Sequence, residues 1–141
     1  MKKRLIIFIV VILMVFSVYA QIKPAKYFVT RAIAKIKMIT PQEAKSMMDK
    51  GGVFVIDVRT EKEYKRGTIP GALHIPRGLL EFKVYKVITD PNQKIIVFCK
   101  SGGRGSLATL RLKEMGYKNV YNIKGGFKAW KKAGLPTAAG K

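Results

Sequence analysis

An apolar run that leads directly into a glycine-rich loop is the feature that most constrains the fold. Residues 95–98 read Ile-Ile-Val-Phe, residues 99–105 read Cys-Lys-Ser-Gly-Gly-Arg-Gly, and a helical pattern follows. A short apolar, β-branched run between turn signals is typical of a buried strand in a parallel sheet. A strand, a glycine-rich turn and a helix in this order favour folds in which helices cover a parallel sheet.

The same alternation of strands and helices extends along the chain. The apolar runs predict strands at 53–56, 73–75, 95–98 and 120–123, and the intervening segments predict helices at 41–50, 79–87, 103–115 and 126–133. Thr40-Pro41-Gln42-Glu43 is a capping box with proline at the first helical position. We therefore expect a three-layer α/β/α domain with a parallel sheet of about five strands. Neither an Asp-Val-Arg sequence nor the cysteine loop occurs twice, so we expect one such domain and no tandem repeat.

Cys99 is the only cysteine and is the candidate nucleophile. An unpaired cysteine at a strand end is often just a small buried apolar residue. A Ser-Gly-Gly-Arg loop, however, suits the approach of backbone N–H groups to an anion better than it suits core packing. The positive end of the following helix, with Lys100 and Arg104, would favour the thiolate. These features predict a reactive cysteine.

Four separated motifs resemble the rhodanese sulfurtransferases. The segment from Cys99 to Arg104 resembles the six-residue active-site loop of that family, and Asp57-Val58-Arg59 resembles its aspartate-x-arginine strand end. Residues 67–72, Gly-Thr-Ile-Pro-Gly-Ala, and the segment from Gly125-Gly126-Phe127 through Trp130 to Pro136 complete the match. The resemblance covers residues 38–136 and implies a rhodanese-like domain. Thr68 stands where many members carry histidine, a departure that bears on substrate preference or a partner surface.

The resemblance implies a catalytic Cys99 and a set of substrate-binding loop residues, namely Lys100, Ser101, Gly102, Gly103, Arg104 and Gly105. Asp57 and Arg59 are expected to support the loop as an ion pair or hydrogen bond. Related phosphatases and arsenate reductases carry one more residue between cysteine and arginine, so the loop here suits attack on sulfur. The expected reaction moves a sulfane sulfur from an anionic donor such as thiosulfate, through a Cys99 persulfide, to a thiol or cyanide. No cofactor or metal is called for.

Other readings of the same residues stay open. The chain could carry a persulfide for one partner without efficient turnover, and a thioredoxin-like protein is a further candidate acceptor. A redox thiol protein is disfavoured because no second cysteine exists to resolve a disulfide. His74, the only histidine, lies in a strand pattern and is expected to be structural, since a thiolate nucleophile needs no general base.

The first 20 residues resemble a secretory signal. Lys2, Lys3 and Arg4 precede an apolar stretch over residues 5–18, and Val18-Tyr19-Ala20 is an acceptable cleavage site. We expect an exported, periplasmic protein; the alternative is a protein anchored in the membrane through residues 5–20. Lipoprotein processing is not supported, because no cysteine follows Ala20.

The rest of the chain is strongly basic. The whole sequence has a formal charge of +20 from 28 basic and 8 acidic residues, and loss of the three basic residues before residue 5 leaves +17. Such a charge suits anionic substrates or an anionic membrane, and export argues against nucleic acid. Residues 21–37 form a basic amphipathic pattern. This segment is expected either to lie on an anionic membrane surface or to pack on the domain. At the other end of the sequence, we expect residues 137–141 to form a C-terminal tail.

Overall fold

The computed structural model describes residues 1–7, 9 and 22–141, in which a five-stranded parallel sheet forms the centre of the fold. The strands are β1 (Lys37–Ile39), β2 (Val53–Asp57), β3 (Leu73–His74), β4 (Lys94–Phe98) and β5 (Asn119–Ile123). The helices are α1 (Ala25–Ile33), α2 (Pro41–Asp49), α3 (Glu61–Lys65), α4 (Leu80–Val87), α5 (Gly103–Glu114) and α6 (Gly126–Lys132), with a 3-10 turn over Arg77–Leu79. The predicted fold class is confirmed.

The strand order β1-β5-β4-β2-β3 places β4 in the middle of the sheet. Every pairing is parallel. In the pairing of β2 with β4, Asp57 lies opposite Phe98, the residue before Cys99. Parallel sheets place ligands at the carboxyl ends of their strands. The register therefore brings the Asp-Val-Arg motif and the cysteine loop to the same edge of the sheet.

Alternate residues of the central strands enter two apolar cores, one on each face of the sheet. On one face, Ile95 and Val97 pack with residues of α4 and α5. On the other face, Ile96 and Phe98 pack with residues of α2 and α6, including the fully buried Trp130. Because both faces of β4 are buried, its residues are apolar at consecutive positions and not only at alternate ones.

Two elements were not predicted from the sequence. The strand β1 has only three residues and lies at the edge of the sheet, where it pairs with β5 alone. Helix α3 is five residues long and has no buried side chain, so it carries no apolar periodicity. Its signal was a second capping box: Thr60 Oγ1 accepts a hydrogen bond from the Glu63 backbone, and the Glu63 carboxylate accepts one from the Thr60 backbone. The predicted capping box at Thr40 and Glu43 is confirmed.

Helix α1 begins after Pro24 and packs against α5. Ala32 is fully buried, and Val29 and Ile36 are partly buried, whereas Phe28 remains 51% exposed and Ile33 44% exposed. The apolar face predicted for this segment is thus divided between the domain and solvent. Both a packed helix and a membrane-contacting helix are compatible with this division.

The predicted export signal lies mostly outside the described residues, since only residues 1–7 and 9 of it are included. Within the described part of the chain, every helix is too short or too polar to cross a lipid bilayer.

Candidate active site

Cys99 directly follows β4 at the carboxyl edge of the sheet and is 1% exposed. Its Sγ accepts a hydrogen bond of 3.1 Å from the backbone N–H of Gly102. Gly102 is the N-cap of α5 and has a φ of 107°, a left-handed conformation that favours glycine. The sulfur therefore lies at the positive end of a 12-residue helix, where negative charge on sulfur is stabilised.

The carbonyl groups of the loop are held by the first turn of α6. The backbone N–H of Phe127 donates to the Cys99 carbonyl at 2.7 Å, and that of Lys128 donates to the Lys100 carbonyl at 3.0 Å. Gly126, with a φ of +59°, lies so close that a Cβ there would overlap the Cys99 carbonyl oxygen. These contacts explain the glycine at position 126 and fix the loop through its carbonyl groups.

Asn122 of β5 supports the end of the loop through hydrogen bonds. This role was not predicted from the sequence. Asn122 is fully buried in β5, and its amide nitrogen donates to the Gly102 carbonyl at 3.2 Å and to Ser106 Oγ at 3.0 Å. Ser106 Oγ in turn donates to the same Gly102 carbonyl at 2.9 Å. The available signal was an asparagine inside the predicted strand 120–123, because a buried amide needs hydrogen-bond partners.

Arg104 is held by Glu63 of α3 in a bidentate ion pair, with both N···O distances 2.8 Å. Hydrogen bonds from Arg104, with further ones from Thr60, lower the pKa of Glu63 to about 2, and the same carboxylate raises the pKa of Arg104. Arg104 was predicted to be a substrate-binding residue, whereas Glu63 was not predicted from the sequence. The structure shows that two of the guanidinium nitrogens are already engaged by protein.

Asp57 and Arg59 form a buried ion pair beside the loop. The guanidinium of Arg59 donates to Asp57 at 2.6, 2.9 and 3.1 Å, and it also donates to the Gly67 carbonyl at 2.6 Å. The guanidinium carbon stands 4.3 Å from the centre of the Phe127 ring, within cation–π range. The pair thereby links the end of β2 to the first turn of α6.

Thr68 belongs to this buried network rather than to a partner surface. It is 3% exposed, and its hydroxyl donates to Asp57 Oδ2 at 2.9 Å. Its backbone exchanges two hydrogen bonds with Ala138, of 2.8 and 2.9 Å, in an isolated antiparallel bridge. The departure at this position was expected to bear on substrate preference or on a partner surface. The structure gives Thr68 a buried hydrogen-bonding role toward the aspartate, and the effect on substrate preference stays a prediction.

His74 ends β3 and lies outside the cysteine loop. Its Nε2 lies 2.9 Å from the Arg59 carbonyl, so this nitrogen carries the proton and donates, and its ring stacks on Tyr64 with centroids 4.2 Å apart. These contacts give the histidine the structural role that was predicted. Among the described residues, no group of three or more histidine, cysteine or acidic side chains is arranged to hold a metal ion.

A cavity of about 240 Å³ opens beside the cysteine loop. One wall is the Phe127 side chain, and Lys100 brings the loop itself into the lining. The complete lining is Arg59, Glu63, Arg66, Gly67, Lys100, Phe127, Lys128 and Lys131. Five of these residues are cationic and one is anionic, so the mouth of the site is strongly positive.

Comparison with known proteins agrees with this architecture. The family described as rhodanese-like domain matches residues 40–133. A sulfurtransferase of Allochromatium vinosum is 34% identical over 66% of this chain and 85% of its own length, and thiosulfate sulfurtransferase GlpE of Haemophilus influenzae is 36% identical over 71% and 92%. The solved structure of RPA3614 from Rhodopseudomonas palustris, described as a protein of unknown function and possible tyrosine phosphatase, has a TM-score of 0.76 and 30% identity over 84% of this chain and 97% of its own.

The chain belongs to the rhodanese-like family. Its relatives include sulfurtransferases, which supports sulfur transfer as the general class of its chemistry.

Proposed function

We propose that the chain is a sulfurtransferase that carries sulfur on Cys99. The observation that carries the proposal is the position of Cys99 Sγ, which accepts a hydrogen bond from Gly102 at the N-terminus of α5. A backbone N–H donor and a helix N-terminus are the groups that interact favourably with negative charge on a nucleophilic sulfur. The positive mouth of the cavity suits an anionic donor, and thiosulfate is the donor that we propose.

In the first half of the cycle, the Cys99 thiolate attacks the outer sulfur of thiosulfate. A bond forms between the two sulfurs while the sulfur–sulfur bond of thiosulfate breaks, and sulfite leaves with that electron pair. Cys99 is left as a persulfide anion. Backbone N–H groups of the loop and the dipole of α5 stabilise the negative charge that develops, and Arg104, although paired with Glu63, adds a smaller Coulomb attraction.

In the second half, a thiolate or cyanide attacks the outer sulfur of the persulfide. The new bond forms as the bond to Cys99 Sγ breaks, so the Cys99 thiolate is regenerated and the acceptor leaves as a persulfide or as thiocyanate. The two halves make a ping-pong cycle.

Mass spectrometry of the intact full-length chain tests the nucleophile. After mixing with thiosulfate and removal of the donor, the wild type should gain one sulfur atom and Cys99→Ser none. Addition of cyanide should remove the extra sulfur. Absence of any mass gain, or an equal gain on Cys99→Ser, would refute the proposal.

Two alternatives have distinct outcomes in simple assays. A phosphatase, the activity suggested for the Rhodopseudomonas palustris protein, would hydrolyse p-nitrophenyl phosphate in a manner that depends on Cys99. The four residues between Cys99 and Arg104 disfavour this outcome because the longer phosphatase loop has five. A persulfide carrier would gain the sulfur but release it slowly to small thiols and quickly to one protein, and a thioredoxin-like protein is the candidate to test.

We also propose that residues 1–20 direct export. N-terminal sequencing of the protein from the periplasmic fraction should then begin at Gln21. Recovery in the membrane fraction with Met1 retained would instead indicate an anchor through residues 5–20.

A further inference from the structure

We propose that the cavity beside the cysteine loop is the acceptor site, and that it selects small thiols carrying two negative charges. This inference rests on the proposed sulfur transfer and specifies its second half. The cavity borders the loop that carries the nucleophile, because Lys100, the residue after Cys99, is part of its lining. Phe127, another lining residue, holds the Cys99 carbonyl through its backbone N–H.

Two charged residues of the lining are already neutralised within the protein. Arg59 is paired with buried Asp57, and Glu63 is paired with Arg104. Neither residue therefore contributes much net charge to a ligand in the cavity. The Phe127 ring, 7% exposed, is flanked by Arg59 and by Lys131, whose ammonium lies 5.4 Å from the ring centre.

The remaining cations of the lining are not compensated. Arg66, Lys100, Lys128 and Lys131 are all exposed, and none forms an ion pair within residues 22–141. They come from three separate segments of the chain, so the cavity is surrounded by positive charge rather than bordered on one side. A concave site with charges of one sign concentrates ligands of the opposite sign.

The size and charge of the cavity together define the acceptor. A volume of about 240 Å³ lies below the roughly 300–1,000 Å³ typical of pockets for drug-sized ligands, which indicates a thiol of few heavy atoms. A dicarboxylate thiol carries three negative charges when its sulfur is the attacking thiolate. Its two carboxylates are tolerated only where cations offset their repulsion. Four unpaired cations provide that offset for a dicarboxylate thiol.

The test isolates the second half-reaction. The full-length enzyme is loaded with thiosulfate, freed of donor, and mixed with mercaptosuccinate, 3-mercaptopropionate or 2-mercaptoethanol at equal thiolate concentration. These thiols carry two, one and no carboxylates. Loss of the persulfide should be about tenfold or more faster with mercaptosuccinate than with 2-mercaptoethanol, and this ratio should fall as salt is raised.

Two double variants then test whether the charge preference arises in this cavity. Lys128→Gln combined with Lys131→Gln should reduce the ratio to about two- to threefold, whereas Lys83→Gln combined with Lys86→Gln should leave it unchanged. The control lysines are exposed on α4, which covers the opposite face of the sheet from α6.

The outcomes separate this inference from the proposed function. Failure to load the persulfide would refute sulfur transfer itself. Successful loading followed by equal rates for the three thiols would refute only the charge selection. A preference that survives in the variant of Lys128 and Lys131, or that is lost equally in the α4 control, would show that this cavity is not the acceptor site.

Discussion

Replacing Asp57 with alanine should destabilise the domain far more than replacing an exposed aspartate. The Asp57 side chain is fully buried, and it accepts hydrogen bonds from Arg59 and from the Thr68 hydroxyl. The Arg59 side chain is itself only 5% exposed. In Asp57→Ala, Arg59 would keep its hydrogen bond to Gly67 and its position on the Phe127 ring, and its charge would remain buried without a counter-charge.

The expected size of the effect follows from this burial. Removing one partner of a buried ion pair costs about 3–5 kcal/mol, because the other charge is left uncompensated. Typical domains unfold with about 5–15 kcal/mol, and in a domain of about 100 residues each kcal/mol moves Tm by about 4–8 °C. The Tm of Asp57→Ala should therefore fall by at least about 12 °C.

Thermal unfolding followed by circular dichroism, with denaturant titration at 25 °C, measures this change. Asp49→Ala is the matched control, since Asp49 is 61% exposed and pairs with Lys45 one helical turn away. Such surface pairs contribute about 1 kcal/mol or less. Adding Arg59→Met to Asp57→Ala removes the uncompensated charge and should raise Tm above that of the single variant.

A Tm for Asp57→Ala within about 3 °C of the wild type would refute this reasoning, as would a double variant less stable than the single one. If Tm were unchanged while sulfur transfer per folded molecule collapsed, Asp57 would act directly on the substrate rather than support the loop.

Three further predictions follow from individual contacts. Gly126→Ala should abolish persulfide formation even where the protein folds, because the added Cβ displaces the Cys99 carbonyl; Gly116→Ala, also at positive φ but in open space, is the control for backbone strain. The ion pair of Glu63 should stabilise the fold above about pH 4.5 and lose this effect as pH falls toward 2, since its pKa is lowered in the folded state. Denaturant titration should thus show the stability difference between wild type and Glu63→Gln shrinking with acidity, and a difference independent of pH would contradict the assignment. Phe28→Ser should weaken sedimentation with anionic vesicles severalfold, whereas Phe82→Ser should not; absence of binding by the wild type would remove the membrane role of α1.

The central parts of the fold could be predicted because their signals are local. Residues 95–98 are apolar and β-branched, and the glycine-rich loop after them marks the turn into α5. Both features are visible without knowledge of any partner. The position of Asp57 beside Cys99 was also predictable, because parallel strands end at the same edge of the sheet.

The missing parts of the site depend on contacts between distant segments. Glu63 and Arg104 are 41 residues apart, and the charged helix α3 gives no periodic signal. The amide of Asn122 is visible in the sequence, but its partners at the α5 terminus are not, because they lie 16 to 20 residues earlier in the chain. The burial of Thr68 likewise follows from pairing with Ala138, in a segment that was expected to be a simple tail. These contacts depend on tertiary packing and not on neighbouring residues in the sequence.

Thr68 pairs with Ala138 through its backbone and with Asp57 through its hydroxyl group. Opening of the bridge to Ala138 should therefore affect both amide hydrogen exchange and the surroundings of the Asp57–Arg59 ion pair. Thr68 and Ala138 each donate an amide proton to the other, so opening the bridge should release both amides to hydrogen exchange together. Opening would also admit water to Thr68 and raise the local dielectric constant around Asp57 and Arg59, weakening their attraction. We therefore expect the pairing of Ala138 with Thr68 to keep water away from the ion pair that steadies the cysteine loop.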